Sequence, residues 1–394
     1  MTAAPPAPPV PVLFLLTDLR VGGMERKVAE IVQKTDRSRV RPVVACLKEP
    51  GPLAPEIEAA GIPVHAHLLK HKTDLGVLWR LRRLIRSEGI QVVCTIGDGG
   101  DRMFWGRLAG WLSGVKGIVS TLHSTRNPHG GSILDRPNRW LFGITDAFVA
   151  VARGAARYLV EDEGFPPDKV LVIHNGVDLA RYTGAGRAEA RAALGLADDA
   201  PVVAHVAAFR IEKAHDVLLR AAAEVVREAP QTRFLLIGDG PERPRIEAMR
   251  AELGLDEAVL TLGRRSDIPE LLAASDLSVL CSHAMVETFP NSVLEAMASR
   301  RPVVCTDVGS IDEQVVDGEN GYLIAEGDHA ALADRILRLV KDPALAGKMG
   351  ERARETVEAN FSAAKMVGDR EDLFLALANG APIPSRLYWK TPME

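Results

Sequence analysis

Short apolar runs alternate with amphipathic stretches along most of this chain. The apolar runs are rich in β-branched residues, which is typical of strands buried on both faces. In the first half they are residues 10–16, 40–47, 91–95, 117–121 and 147–151. Apolar residues recur at helical spacing in residues 25–33, 53–60, 75–87, 102–112 and 152–163. Buried strands that alternate with helices predict a parallel sheet with helices on both faces.

The same alternation begins again after a connector at residues 174–200. Asn175-Gly176 is a turn signal, and a stretch rich in Gly, Ala and charged residues follows it. Further strands are predicted at residues 201–207, 232–237, 259–262, 277–281, 302–306 and 322–324. Further helices are predicted at residues 216–228, 241–253, 268–274, 292–299, 329–339, 344–360 and 363–378. We therefore expect an α/β protein with two doubly wound domains in tandem and a loose tail at residues 381–394.

The composition is that of a globular protein. Of its 394 residues, 47% are hydrophobic and 25% are charged, and 48 Lys and Arg against 52 Asp and Glu give a net charge of −4. A dedicated nucleic-acid binder is expected to be basic, so this balance argues against a nucleic-acid partner. The four cysteines lie far apart without a CxxC pair, which indicates buried thiols in a reducing compartment.

The sequence also bears on location. Residues 1–9 contain four prolines and no Lys or Arg, a composition unlike that of a signal peptide, and we expect them to form a disordered tail. The longest apolar runs fall well short of the ~18 residues that a membrane-spanning helix needs. We therefore expect a cytoplasmic protein that does not cross a membrane.

Two cations follow a predicted strand of the second domain. Ligands of open parallel sheets bind at the carboxyl ends of the strands, and Arg210 and Lys213 lie in the loop after residues 201–207. Lys as a point charge and Arg as a fork could hold a diphosphate there. The alternative is a solvated turn with ordinary surface cations.

Two carboxylates follow a neighbouring predicted strand. Glu287 lies in the loop after residues 277–281, and Glu295 lies about one turn into the next helix, for which Asn291 is the predicted N-cap. Carboxylates at this edge can accept hydrogen bonds from sugar and ribose hydroxyls. For Glu295 alone, a favourable interaction with the helix dipole is an adequate explanation.

The first domain has weaker signals. Gly22-Gly23 lies between the first strand and the first helix, where glycines let a ligand approach the backbone, although a tight turn explains them equally. The full GxGxxG pattern of dinucleotide-binding enzymes is absent. His123 ends a strand at the same sheet edge, where it is either structural or part of a site.

The sequence gives little support for a metal. His65, His67 and His71 lie close together, but no carboxylate or cysteine nearby completes a ligand set. The segment 98–101 could hold hydroxyl groups, but a helix cap is the simpler interpretation. Because no Asp-x-Asp occurs, we expect no divalent ion at a diphosphate and no cofactor, with Arg210 and Lys213 in the ion's place.

One predicted helix carries an unusual concentration of arginine. Residues 75–86 contain Arg80, Arg82, Arg83 and Arg86 around an apolar stripe, and such a surface could touch anionic lipid headgroups. The alternative is an ordinary amphipathic helix that packs on the sheet with its arginines in water.

With these residues identified, the chain resembles the retaining glycosyltransferases of family 4, the group 1 glycosyl transferases, over about residues 10–380. An ordered series of motifs carries the resemblance. The motifs are Gly22-Gly-Met-Glu25, His123-Ser124, Asn175-Gly-Val-Asp178, Arg210-x-x-Lys213, Gly238-Asp-Gly-Pro241, Gly263-Arg264, Glu287-Thr-Phe-Pro-Asn291, Glu295-Ala-Met-Ala298, Pro302-Val-Val304, Asp307-Val-Gly309 and Gly318-Glu-Asn-Gly321. The chain departs from the family at Ala214, Arg300 and Ser310, where glycine is frequent.

The resemblance implies a fold and a division of the chain. The fold is GT-B, in which two Rossmann-like domains face a central cleft. An acceptor domain at residues 10–174 and a nucleotide-sugar donor domain at 175–361 would be followed by a helix at 362–380 that returns to the first domain.

The resemblance also implies roles for individual residues. Glu287 would meet the donor sugar and Glu295 the ribose, while Arg210 and Lys213 hold the diphosphate. The remaining donor contacts would come from backbone groups and from the first domain. They are the backbone N–H groups of Phe289, Asn291 and Ser292, the backbone at Gly263 and Arg264 against the base, and Gly22, Gly23 and His123 against the diphosphate and sugar.

The implied reaction is transfer of a sugar, with retention, from a UDP- or GDP-type donor to a hydroxyl. We expect the acceptor to be a glycan or a lipid-linked molecule of envelope or exopolysaccharide synthesis. Peripheral contact of the enzyme with the inner membrane is left as an option. Two alternatives stay open on the same fold, namely a sugar-nucleotide epimerase and a non-catalytic module that binds sugar nucleotides.

Overall fold

The computed structural model describes residues 8–71, 73–97, 101–122, 139–284 and 287–390. Two compact units make up the chain. The first comprises Met1–Asn175 together with Ala364–Glu394, and the second comprises Gly176–Ala363.

The first unit is built on a seven-stranded parallel sheet. Its strands are β1 Val10–Leu16, β2 Val40–Cys46, β3 Val64–His65, β4 Val92–Ile96, β5 Gly117–Leu122, β6 Ala147–Ala150 and β7 Val170–Val172. The spatial order is β3-β2-β1-β4-β5-β6-β7. The order reverses between β1 and β4, so the carboxyl ends of these two neighbouring strands form a switch point.

Helices cover both faces of this sheet. They are α1 Gly23–Lys34, α2 Ala54–Ala59, α3 Gly76–Ser87, α4 Asp101–Ser113, α5 Arg153–Glu161 and the C-terminal α13 Ala363–Asn379. Because side chains alternate along a strand, Val12 and Phe14 of β1 lie in one buried cluster, while Leu13 and Leu15 lie in another. The first cluster includes side chains of α1, α2 and α13, and the second includes side chains of α3 and α4. The final helix therefore returns to the first unit.

A loose tail is expected at residues 381–394, but residues 387–389 are packed against the first unit. Leu387 is 2% exposed and belongs to the core cluster of the first unit. Tyr388 forms an antiparallel bridge with Leu171 of β7, and the indole N–H of Trp389 donates to the carbonyl of Pro167 over 3.1 Å. These apolar side chains order the segment because they cover the open edge of the sheet.

The second unit is built on a six-stranded parallel sheet. Its strands are β8 Val202–Val206, β9 Arg233–Ile237, β10 Val259–Gly263, β11 Leu277–Leu280, β12 Val303–Thr306 and β13 Gly321–Ile324. The order is β10-β9-β8-β11-β12-β13. Here the order reverses between β8 and β11, so the loops that follow β8 and β11 lie side by side.

The helices of the second unit are α6 Arg187–Ala193, α7 His215–Glu228, α8 Arg243–Glu252, α9 Ile268–Ala274, α10 Asn291–Ala298, α11 His329–Lys341 and α12 Pro343–Asn360. Leu218 and Ala222 of α7 pack with Leu332 and Ile336 of α11 in a buried cluster beneath the sheet. Short 3₁₀ turns at Ile211–Lys213 and Ile311–Glu313 follow β8 and β12.

Two departures from the family's glycines have a visible backbone basis. Ala214 has a φ of 47° and Arg300 has a φ of 58°, both in the left-handed region that favours glycine. Arg300 follows the C-cap of α10, where its N–H donates to Met297 and the N–H of Arg301 donates to Ala296. This is the Schellman arrangement, in which glycine is the common residue. The third departure, Ser310, has a φ of −126° and imposes no such strain.

Candidate functional site

The candidate site lies at the switch point of the second unit. β8 ends at Val206 and β11 ends at Leu280, and these two strands are neighbours in the sheet. The loop after β8 carries Arg210 and Lys213, and the loop after β11 carries Glu287. Adjacent parallel strands therefore bring together residues that are far apart in sequence.

An ion pair between Lys213 and Glu287 joins the two loops. The Lys213 ammonium donates to Glu287 Oε1, although the two residues lie 74 positions apart. The same oxygen accepts a hydrogen bond of 2.7 Å from the hydroxyl of Ser282. The side chains of Lys213 and Glu287 are 21% and 7% exposed, so the pair is shielded from most solvent.

Arg210 stands at the solvent-exposed rim of the same loop. Its side chain is 62% exposed, and Glu212 Oε1 lies 3.8 Å from its Nη1. The loop therefore holds one largely buried cation and one accessible cation. An accessible guanidinium can form a bidentate contact with an incoming anion such as a phosphate.

Glycines after β9 fix the backbone of the Arg210 loop. A Cβ on Gly238 would lie 1.9 Å from the carbonyl oxygen of Ala207, and a Cβ on Gly240 would lie 2.3 Å from that of Phe209. The N–H of Phe209 donates to Asp239 over 3.1 Å, and the N–H of Glu242 donates to Phe209 over 3.0 Å. The Gly238-Asp-Gly-Pro241 motif thus acts as a support for the cation loop.

The Glu287 loop is supported from the next strand. Gly309 has a φ of +66°, and a Cβ there would lie 2.3 Å from the carbonyl oxygen of Glu287. The N–H of Ser310 donates to Thr288 over 2.9 Å, while the N–H of His283 donates to Glu212 over 2.9 Å. The carboxylate loop is therefore tied on one side to the loop after β12 and on the other to the cation loop.

Helix α10 begins directly after this loop, and its start differs from the prediction. Pro290 is the N-cap, and Asn291 is the first helical residue rather than the cap. Proline at the cap has no side-chain acceptor, so no side chain caps the first turn. The Oδ1 atom of Asn291 and the hydroxyl of Thr288 are buried without a hydrogen-bond partner in the described part of the chain. The helix start therefore presents polar groups that a ligand could satisfy.

Other predicted residues of the second unit lie around this core. Phe289 is buried, and its ring packs against Phe361 with centroids 5.3 Å apart. Ser292 and Glu295 are half-buried on α10, with Glu295 one turn beyond Asn291. Gly263 ends β10, where its carbonyl accepts from the N–H of Gly238 over 2.9 Å, and the exposed Arg264 follows.

The remaining predicted residues belong to the first unit. Gly22 is the N-cap of α1 and Gly23 is its exposed first residue, immediately beyond the loop that follows β1. His123 and the segment 98–100 lie outside the described residues.

A buried histidine pair, for which the sequence has no signal, adjoins the cation loop. The rings of His205 and His215 meet edge to face with centroids 4.7 Å apart, and His205 Nδ1 lies 2.9 Å from the carbonyl oxygen of Val279. Burial lowers the pKa of His205 to about 4. Burial, with contributions from His205 and Lys213, lowers the pKa of His215 to about 2. Both rings are therefore neutral at physiological pH and add no cation beside Lys213.

The three histidines that lie close together in sequence do not converge on a metal site. His65 Nε2 lies 3.4 Å from Glu88, His67 Nδ1 lies 3.6 Å from Glu49, and His71 lies 3.2 Å from the Thr73 hydroxyl. Within the described ranges no three His, Cys, Asp or Glu side chains are grouped as metal ligands. The cysteines are buried and free, and burial raises the pKa of Cys281 to about 12.

Helix α3 combines a buried stripe with an exposed face of mixed character. Val77, Leu81 and Leu84 pack in the core, whereas Leu75 and Trp79 are 74% and 64% exposed. The Arg83 guanidinium lies 5.7 Å from the centre of the Trp79 ring. Among the helices of the described residues, none is both long enough and apolar enough to span a membrane.

Comparison with known proteins accounts for both units. Residues 186–356 match the family model described as glycosyl transferases group 1, and residues 21–181 match the model described as glycosyltransferase family 4. N-acetyl-α-D-glucosaminyl L-malate synthase of Bacillus anthracis is 34% identical over 258 residues, which are 65% of this chain and 67% of the relative. D-inositol 3-phosphate glycosyltransferase of Nocardia farcinica is 38% identical over 217 residues, which are 53% of this chain and 48% of the relative.

A solved structure shows the same fold. HepE of Anabaena, crystallised in complex with UDP and glucose, aligns with a TM-score of 0.77 at 23% identity. The alignment covers 91% of this chain and 97% of HepE.

The close approach of Gly309 to Glu287 can be tested with a matched pair of variants. Gly318→Ala adds a methyl group at a φ of +78° with nothing within 4 Å, so it reports backbone strain alone, about 1–2 kcal/mol. Gly309→Ala has the same strain and also displaces the Glu287 carbonyl, which should cost about 1–3 kcal/mol more. Chemical denaturation followed by fluorescence measures both, and equal losses of unfolding free energy would contradict the predicted contact.

Proposed function

Because the chain belongs to the group 1 glycosyl transferases of glycosyltransferase family 4, we propose that it transfers a sugar, with retention, from a nucleoside diphosphate sugar to a hydroxyl group. The family and the GT-B fold expected from the sequence are both confirmed. The observation that carries the proposal is the pairing of Lys213 with Glu287 at the switch point of the second sheet.

The proposed role of the cations follows from where charge develops. The diphosphate leaving group becomes more negative as its bond to the sugar breaks. Lys213 and Arg210, fixed in the loop after β8, therefore stabilise the transition state more than the bound donor. Backbone N–H groups at Phe289, Asn291 and Ser292 add donors at the start of α10.

The carboxylates are assigned to hydroxyl groups. Glu287 accepts from hydroxyls of the donor sugar and Glu295 from the ribose, while the backbone at Gly263 and Arg264 meets the base. We assign Glu287, whose Oε1 accepts from Lys213 and Ser282, the role of an orienting acceptor rather than that of a covalent nucleophile. Retention then requires a same-face route in which a diphosphate oxygen takes the acceptor's proton. We assign Gly22, Gly23 and His123 to the donor on the family resemblance alone.

The similar proteins give more support for a particular donor than for a particular acceptor. HepE is solved with UDP and glucose, which supports a UDP-type donor, with a GDP-type donor as the alternative. The first relative is a synthase of N-acetyl-α-D-glucosaminyl L-malate, and the second is a D-inositol 3-phosphate glycosyltransferase, so the two differ in the compound that they are named for. For this chain we propose a cytoplasmic enzyme of envelope or exopolysaccharide synthesis that acts on a glycan or lipid-linked hydroxyl.

Substitutions in the two loops test the site. Lys213→Ala, Arg210→Ala and Glu287→Ala should each lower turnover of a UDP-sugar, by about 10²–10³-fold for the lost cation donors. The measurement is release of UDP and of glycosylated product by purified, folded protein.

Arg220→Ala is the matched control because Arg220 is an exposed arginine of α7, in the same unit. Wild-type rates for all three site variants would refute the assignment. Turnover of the donor to an epimer without any acceptor would instead identify a sugar-nucleotide epimerase. Donor binding without turnover under any acceptor would identify a binding module.

We also propose that the reaction needs no divalent ion, since Lys213 and Arg210 supply the positive charge at the diphosphate. Dialysis against EDTA should leave the rate within about twofold of that of the untreated enzyme, because in this proposal two side-chain cations and no metal ion stabilise the leaving group. Activity that EDTA abolishes and Mn²⁺ restores would overturn this proposal.

A lipid-linked acceptor suggests a place for helix α3. We propose that its exposed Leu75 and Trp79, beside Arg83 and Arg86, rest on the anionic cytoplasmic face of the inner membrane. In a sedimentation assay, the protein should sediment with vesicles that contain anionic lipid and not with neutral vesicles. This binding should weaken as the salt concentration rises. The double variant Trp79→Ala and Arg83→Ala should lose most of this binding, whereas Arg227→Ala on the second unit should not. Equal binding to neutral vesicles would contradict the proposal.

A further inference from the structure

The two oxygens of the Glu287 carboxylate have different surroundings. Oε1 accepts from both the Lys213 ammonium and the Ser282 hydroxyl, the latter over 2.7 Å. No hydrogen bond to Oε2 comes from the described residues. The Glu287 side chain is only 7% exposed. Because two donors hold Oε1 in place, the orientation of the carboxylate, and with it the direction of Oε2, is fixed.

Ser282 is itself firmly held. The residue is fully buried, and it lies just beyond the end of β11. Its carbonyl accepts from the Thr306 hydroxyl of β12 over 2.7 Å. Ser282 therefore belongs to the rigid sheet edge, whereas Lys213 lies in a 3₁₀ turn at the end of a loop.

A bound diphosphate would compete with Glu287 for Lys213. The ammonium has three N–H donors on a flexible stem, and it can turn toward phosphate oxygens. Ser282 would then become the main donor that still holds Oε1. Its contribution should therefore be largest when the diphosphate is bound and the sugar must be oriented.

We propose that Ser282 is a positioning residue that fixes Glu287 for the donor sugar and so allows the site to distinguish a nucleoside diphosphate sugar from the free nucleoside diphosphate. This inference rests on the proposed function of the site. Ser282 itself does not contact the substrate in this proposal, because it acts through Glu287.

The test compares the affinities of UDP and UDP-glucose by isothermal titration. Ser282→Ala should weaken UDP-glucose about 10–100-fold, the usual range for a lost hydrogen bond to a charged group, and change UDP less than about threefold. In steady-state assays, the same variant should raise the KM for the donor and lower kcat. A merely structural role would weaken both ligands alike.

Ser278→Ala is the matched control. Ser278 is a buried serine of β11 whose hydroxyl donates to Ala204 over 3.2 Å, and it makes no hydrogen bond to Glu287. The ratio of the two affinities should be unchanged in this variant. In a Glu287→Gln background, Ser282→Ala should have a smaller effect on the ratio, because the charged acceptor is gone.

Two results would overturn the inference. One is an unchanged ratio of the UDP and UDP-glucose affinities in Ser282→Ala, whether both affinities are kept or both are lost equally. The other is full additivity with Glu287→Gln. The proposed function fails separately if the wild-type protein binds neither UDP nor any UDP- or GDP-sugar, and the role of Ser282 then falls with it.

Discussion

The candidate site depends on one largely buried ion pair between two loops. Lys213 and Glu287 would each be costly to shield from water alone, since an unpaired buried charge loses its hydration. Held together, they stabilise each other and fix the spacing of the loops that follow β8 and β11. Yet the same two groups are assigned to two neighbouring parts of the donor, Lys213 to its diphosphate and Glu287 to its sugar. In the proposed function, donor binding would therefore rearrange this pair.

The rest of the second unit positions these loops through backbone contacts. Gly238 and Gly240 allow the cation loop to lie against its neighbour, and Gly309 does the same for the carboxylate loop. These are places where a Cβ would collide with main-chain oxygen, so the motif glycines have a packing explanation independent of any ligand. Ala214 occupies a left-handed position without glycine, which shows that the backbone geometry is imposed by its surroundings.

Long apolar strands and amphipathic helices made most of the architecture predictable. Strong periodicity identified both sheets, and the ends of the predicted strands placed Lys213 and Glu287 at one edge of the second sheet. The short β3 and β7 were missed because runs of two and three residues give no usable period. The Asn291 cap was wrong because Pro290 takes the cap position. The role of Ser282 could not be predicted from the sequence, because nothing distinguishes a serine that follows a strand until its contact with Glu287 is known.

The discontinuous first unit has a consequence for how the chain is made. Its core contains Phe374 and Leu387, which are translated after the second unit, whereas the second unit is continuous from Gly176 to Ala363. Domains usually fold as units in the order of synthesis. Here the unit that emerges first cannot complete its core until the final helix leaves the ribosome. The second unit can therefore reach its native packing first, and a chain truncated before α13 would leave an apolar face of the first sheet open to misassembly.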